Sequence, residues 1–313
     1  MVNLTNIYWP VYKNLESELI KLSYNIQIDD TQLSVYSAQI ADLILRGAIE
    51  IESIAKELCR QENTHINIHK FDFDCLDGLN KKWSLDKKIV IISGSTCYQT
   101  QRILIPFVLN ETNIKSRPIC SWNNAYQNLK HDKITSLNKF GTIKYLFYTM
   151  AALFTLNIYY KNETIQLGHD YNAVHFPDNL GSDLFSIKVN KGQRRDDEHD
   201  FSADFDECIY WTHWTQKTYE RISKMNDESN RKINEAWINL ISHDVSCLTW
   251  TKDHPGEEIT TNILQKILGD SHSQHLRSFI QKFGFSFNDV RNADHEAVLN
   301  KGKVLHARSS GIT

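Results

Sequence analysis

A chain of 313 residues exceeds the size at which a single hydrophobic core usually stops growing, so the length predicts two packed units. Its 41% hydrophobic and 11% aromatic content, with 23% charge and five prolines, excludes a disordered chain. Thirty-five basic against 38 acidic residues give a net charge of -3, which excludes a global basic excess and leaves room only for a local nucleic-acid or membrane-directed surface.

The N-terminus has no basic segment leading into an apolar core, so no secretory signal is expected. A first helix is predicted over residues 11–25. The surest element follows over 37–60, where Ile40, Leu43, Ile44, Ile51, Ile54, Ala55 and Leu58 recur at three-four spacing along one face. Its opposite face carries the i,i+4 pairs Asp42 with Arg46 and Arg46 with Glu50. Residues 61–88 lack periodicity, and Ile89-Val90-Ile91-Ile92 reads as a strand or a buried turn. Ser121 is a candidate N-cap for a helix bearing Trp122, Ala125, Tyr126 and Leu129, and a long helix is predicted over 137–160. The apolar window at 145–160 is too short and too mixed for a membrane span.

Residues 162–200, with Pro177, Gly181, Gly192 and the charge run 193–200, read as a linker or surface loop. Helices are predicted beyond it over 204–225, 230–241, 257–268, 273–283 and 288–300. Six cysteines stand singly, without a C-x-x-C pair, so thiols rather than a disulfide framework are expected, in keeping with a cytoplasmic protein.

The densest polar constellation runs from Trp122-Asn123-Asn124-Ala125 through Tyr126-Gln127-Asn128-Leu129 to Lys130-His131-Asp132-Lys133. On a helix Tyr126 and Lys130 lie one turn apart, and Gln127 shares a face with His131, which can exchange protons near neutral pH. The alternative is plain: these residues cap and solvate a helix end, with His131 and Lys133 answering its dipole.

Together with Glu50-Ile51-Glu52-Ser53-Ile54-Ala55-Lys56-Glu57 on the earlier helix, this constellation resembles the HEPN-like helical domains of prokaryotic defence and toxin-type proteins. The resemblance covers about half the chain. It implies a helical bundle, commonly dimeric, linked to toxin–antitoxin, abortive-infection or antiviral defence systems. In the RNA-cutting members two subunits build one metal-independent endoribonuclease site, from an arginine separated from a histidine by four to six residues. Here the arginine positions hold Tyr126, Ala125 and Asn124, so the cation that would stabilise charge on a scissile phosphate is missing.

The resemblance implies His131 as general acid or base, Lys130 as phosphate ligand and Asn128 as the residue positioning RNA. Arg46, Glu50, Tyr126, Asp132 and Lys133 would complete the site, with Glu50 orienting His131. The partners implied are RNA, a second copy of the chain, and an antitoxin or defence-system protein, with no membrane and no cofactor. The expected fold is mainly α: a HEPN-like bundle over 1–161, a linker or loop over 162–201 and a C-terminal helical region over 202–313. The expected function is RNA-directed, either metal-independent endoribonuclease or non-catalytic dimeric scaffold binding a nucleotide or a protein.

Elsewhere, His272 and His275 have metal-compatible spacing without further ligands at recognisable spacing, so no metal site is expected. Trp211, Trp214, Trp237 and Trp250 are read as core residues before base-stacking ones. The carboxylates at 198–207 are read as a helix start.

Overall fold

The computed structural model describes residues 6–62, 71–93, 102–191, 204–284, 290 and 292–302. Helices account for 59% of the described residues, so the mainly helical class holds, but sheets of two to four strands accompany them. The chain divides into two compact units, Trp214–His295 forming the second and the remainder the first.

The first unit is organised on α1 (Tyr8–Leu22), α2 (Ala38–Glu62), α4 (Ser121–His131) and α6 (Ile143–Lys161), which pack on one another. Every apolar residue predicted on the 37–60 stripe is buried in α2. The central helix α6 buries side chains on all sides, including Thr149, Thr155 and Asn157. Those polar groups tolerate the core because each donates to the carbonyl four residues back, at 2.8–2.9 Å. Among the described residues no helix is long and apolar enough to cross a membrane.

Helices α2 and α6 approach closely at Gly47, where a Cβ would lie 2.8 Å from the Thr149 methyl. Gly47→Ala is therefore expected to destabilise by about 1–3 kcal/mol despite alanine's better helix propensity. Urea denaturation measures it, and adding Thr149→Ser, which removes that methyl but keeps the hydroxyl, should recover most of the loss.

The long helix expected over 137–160 is broken into α5 (Lys133–Phe140) and α6. Thr142 is extended between them and bridges Tyr36, while the amides of Ile143 and Lys144 donate to Val35 and Leu33, so pairing with residues 33–36 displaces helical bonds. Of the two readings of residues 89–92 the strand holds, and the later loop and helix expectations are corrected toward strand. Val90–Ile92 is a strand, β1, between β2 (Ile103–Leu104) and β6 (Phe185–Ile187), both antiparallel to it. Within the expected linker 162–201, the described residues 162–191 are folded: they contribute β5 (Ile165–Gly168), β6 and β7 (Val189–Asn190), and Phe185 is fully buried. The charge run 193–200 lies outside the described residues.

Where a helix is predicted over 204–225, a short 3-10 turn, Phe205–Glu207, precedes strand β8 (Tyr210–Trp214). Likewise 288–300 yields β9 (His295–Leu299), with 285–289 and 291 outside the described residues. Strands order β5-β9-β8-β7, and β7 runs parallel to β8. A hairpin of β3 (Glu111–Thr112) and β4 (Pro118–Ile119) packs on α4 through β3.

The second unit is an insert between β8 and β9, so the boundaries 1–161, 162–201 and 202–313 do not describe the chain's compact units. It contains α7 (Gln216–His243), α8 (Val245–Asp253), α9 (Thr261–Leu268) and α10 (Asp270–Phe283). Thr215, Asp244 and Thr260 accept backbone amides as N-caps of the first three. Trp237 on α7 stacks on His272 and meets Phe279 edge-on, both rings 5.0 Å away on α10. The two ends of the insert meet: the Thr215 amide donates to the Asp294 carbonyl at 2.9 Å.

Candidate nucleic-acid interface

Helix α4 buries Trp122, Ala125, Tyr126 and Leu129 against the bundle, and that apolar face fixes where its polar residues point. Ser121 is not the cap; it is the first helical residue and its hydroxyl donates to Asn110 Oδ1 at 2.9 Å, Cys120 standing at the cap position. The polar residues then separate into three groups.

On one side Asn128 Nδ2 donates to the carbonyl and side-chain oxygens of Asn124, at 2.8 and 3.0 Å. Asn124 in turn donates to Glu111 Oε2 at 2.8 Å. Tyr145 and Lys144, from the first turn of α6, reach the same carboxylate at 3.4 and 3.5 Å. Burial, aided by the Glu111 charge, pushes the Tyr145 and Tyr148 phenols up, which holds them protonated. Glu111 was missed by sequence reasoning because it sits in a short hairpin without periodicity.

On another side the Lys130 ammonium donates to the Tyr126 hydroxyl at 3.3 Å and lies 5.2 Å from its ring centre. At the C-terminal corner His131, Lys133 and Ile134 are exposed, Ile134 by 95%. Among the described residues His131 has no hydrogen-bond or ion-pair partner. Asp132 is occupied as the N-cap of α5, accepting from the Thr135 amide at 3.3 Å and from its hydroxyl, which holds its carboxyl below the usual range.

The residues expected from α2 make no hydrogen bond or ion pair with His131 among the described residues. Arg46 lies 3.9 Å from Asp42 on the same helix. Glu50 is half-buried, and desolvation pushes its carboxyl up against the opposing pull of Arg46; His131 is not among the charges acting on it.

The sequence around the corner is poor in acids. Between residues 102 and 161 the sequence holds eight cations, Arg102, Lys115, Arg117, Lys130, Lys133, Lys139, Lys144 and Lys161, against two acids, Glu111 and Asp132. Of these cations Arg102 binds the Ile92 carbonyl, Lys144 pairs with Glu111 and Lys161 with Glu163, which leaves Lys130, Lys133 and Lys139 around the corner. Glu111 is engaged within the fold by Asn124, Lys144 and Tyr145, while Asp132 caps α5 and keeps its charge at the surface. Lys130, Lys133 and Lys139 have no acidic partner among the described residues. Such a surface attracts phosphate without distinguishing base sequence.

In the second unit, a cavity of about 370 Å³ is lined by Asn239, Leu240, His243, Asp244 and His275. His275 tilts against Phe279 and His272 stacks on Trp237. Among the described residues, no three His, Cys, Asp or Glu side chains are grouped to hold a metal ion. No family model, no curated protein and no solved structure matches the chain.

Proposed function

We propose that this chain is an RNA-directed, HEPN-like helical protein that holds the RNA backbone on the α4–α5 corner and acts there as a binding scaffold. The observation that carries this reading is the excess of cations at that corner: Lys130, Lys133 and Lys139, none with an acidic partner among the described residues, against the single exposed carboxylate of Asp132. The missing arginine and a histidine without an orienting partner favour binding over turnover, because a general base needs a group to set its tautomer and direction. The HEPN resemblance supplies the remainder of the proposal: a homodimer in the cytoplasm of a prokaryotic cell, serving a defence or toxin system with a protein partner.

Single-stranded RNA binding should therefore weaken steeply with salt. Each lysine that neutralises a phosphate contributes roughly 0.7 to the log–log slope, so replacing Lys130 and Lys133 by alanine should flatten it by about 1.4. Fluorescence anisotropy across a salt series measures this; an unchanged slope would remove the interface from this corner. Metal-independent cleavage is the second reading, favoured by one observation: His131 is exposed and unengaged between two lysines. RNA cut in EDTA by the wild type and not by His131→Ala would establish it.

A further inference from the structure

The last turns of α2 pack against a π-helical turn, Asp72–Leu76. Cys59, on α2, points its thiol at the Asp74 carbonyl, 3.5 Å away. The next residue is Cys75, fully buried, whose side chain is within hydrogen-bonding reach of Cys59. Both are free thiols. Neither takes part in the proposed RNA interface. Two thiols are thus placed side by side from separate elements, one of them a π-helical turn. Such turns concentrate at functional sites.

We propose that Cys59 and Cys75 form a redox modification site, a dithiol that closes to a disulfide when the protein meets hydrogen peroxide and reopens with a thiol reductant. Cys59 is the entry point, since it retains 6% of its surface while Cys75 has none. In the first step the Cys59 sulfur attacks the peroxide O–O bond; Cys59 becomes a sulfenic acid and one water leaves. In the second, the Cys75 sulfur attacks the sulfenic sulfur, the S–O bond breaks, the Cys75 proton leaves with the hydroxyl as a second water, and the disulfide forms. Two thiols lose two electrons and two protons, and one peroxide is reduced to two waters. Burial, together with the neighbouring Cys59, pushes the Cys75 thiol up to about 12, so it remains a thiol until the sulfenic acid forms beside it. Lys56, one turn before Cys59 on α2, opposes that shift with its positive charge. The buried position makes the reaction slow and selective rather than fast.

The test uses the full chain, reduced and then exposed to hydrogen peroxide, with remaining thiols alkylated before digestion and mass spectrometry. The Cys59 and Cys75 peptides are expected to move from separately alkylated forms to one cross-linked species, two hydrogens lighter than their sum and restored by dithiothreitol. Cys208 and Cys247, both wholly buried, should stay alkylatable. In Cys75→Ser the cross-link must vanish and a sulfenic acid become trappable by dimedone at Cys59. Loss of thiols without that cross-linked pair in the wild type, or recovery of Cys59 and Cys75 fully alkylated after peroxide, overturns the proposal whether or not the variant folds.

Discussion

Glu16→Ala should cost the first unit about 3–5 kcal/mol, the range for removing one partner of a buried, hydrogen-bonded charge. Glu16, on α1, is wholly buried. Its Oε1 accepts from the Tyr12 hydroxyl at 2.8 Å, the Ser182 hydroxyl, and the amides of Asp183 and Leu184 at 3.0 and 3.2 Å. Its Oε2 takes the Lys13 ammonium, which also binds Asp183. One carboxylate thus fixes the chain just before β6; its removal leaves the Asp183 amide without this acceptor and strips the main acceptor from Tyr12, Ser182 and Leu184, while Lys13 keeps Asp183. Glu16→Gln keeps an oxygen for the two amides and should lose roughly half as much. Urea midpoints followed by tryptophan fluorescence report both; equal, small losses would mean that water replaces the carboxylate and that the junction is not held as described.

Stability should also rise with pH in an unusual window because of Lys88. This lysine is fully buried, with its ammonium donating to the Asp206 carbonyl at 2.8 Å. Burial lowers its pKa from the ordinary 10.5 to about 8, against the opposing charge of Asp206. Below pH 8 both folded and unfolded states carry the proton and the folded state bears the cost of a buried charge. Between about 8 and 10.5 only the unfolded state keeps it, so stability increases with pH. The whole gain is about 3 kcal/mol, at 1.36 kcal/mol per pKa unit. The thiols of Cys75 and Cys208, pushed up to about 12 chiefly by burial, act in the opposite direction, since the unfolded chain loses those protons first. The measurement is therefore a difference: wild type minus Lys88→Met, by denaturation from pH 7 to 10.5. A flat difference would show that water reaches the ammonium.

The α2 helix was legible because its stripe is long and its partner face apolar; the expected 37–60 became Ala38–Glu62. The α6 region was legible as helix but not its start, since only the distant backbone of residues 33–36 tells Thr142 to extend. The strands β8 and β9 were read as helix because each is five residues long and neither alternates cleanly between buried and exposed positions. Their identity comes from each other, across some eighty residues of sequence, which no local pattern reveals. At the candidate site, the sequence placed Tyr126 beside Lys130 by helical spacing alone, whereas the Asn128–Asn124 pairing emerged only from the structure. It did not reveal that Glu111 would gather Asn124, Lys144 and Tyr145, nor that Glu50 and His131 would not pair with each other, because both depend on how separate elements pack. The local charge excess, by contrast, was countable from the start.

The insert between β8 and β9 carries a consequence for how the two units depend on each other energetically. With the insert folded, the Thr215–Asp294 hydrogen bond holds its ends together, and the neighbouring strands are joined as if by a tight turn. If the insert unfolds, the same strands are joined by a floppy loop of some eighty residues instead of about two. The closure penalty then grows by about 3 kcal/mol, from (3/2)RT times the logarithm of that ratio. Damage to the insert is therefore felt by the sheet through chain entropy alone, and a ligand that steadies the insert steadies β9, with its buried Ala297 and Leu299, without touching either.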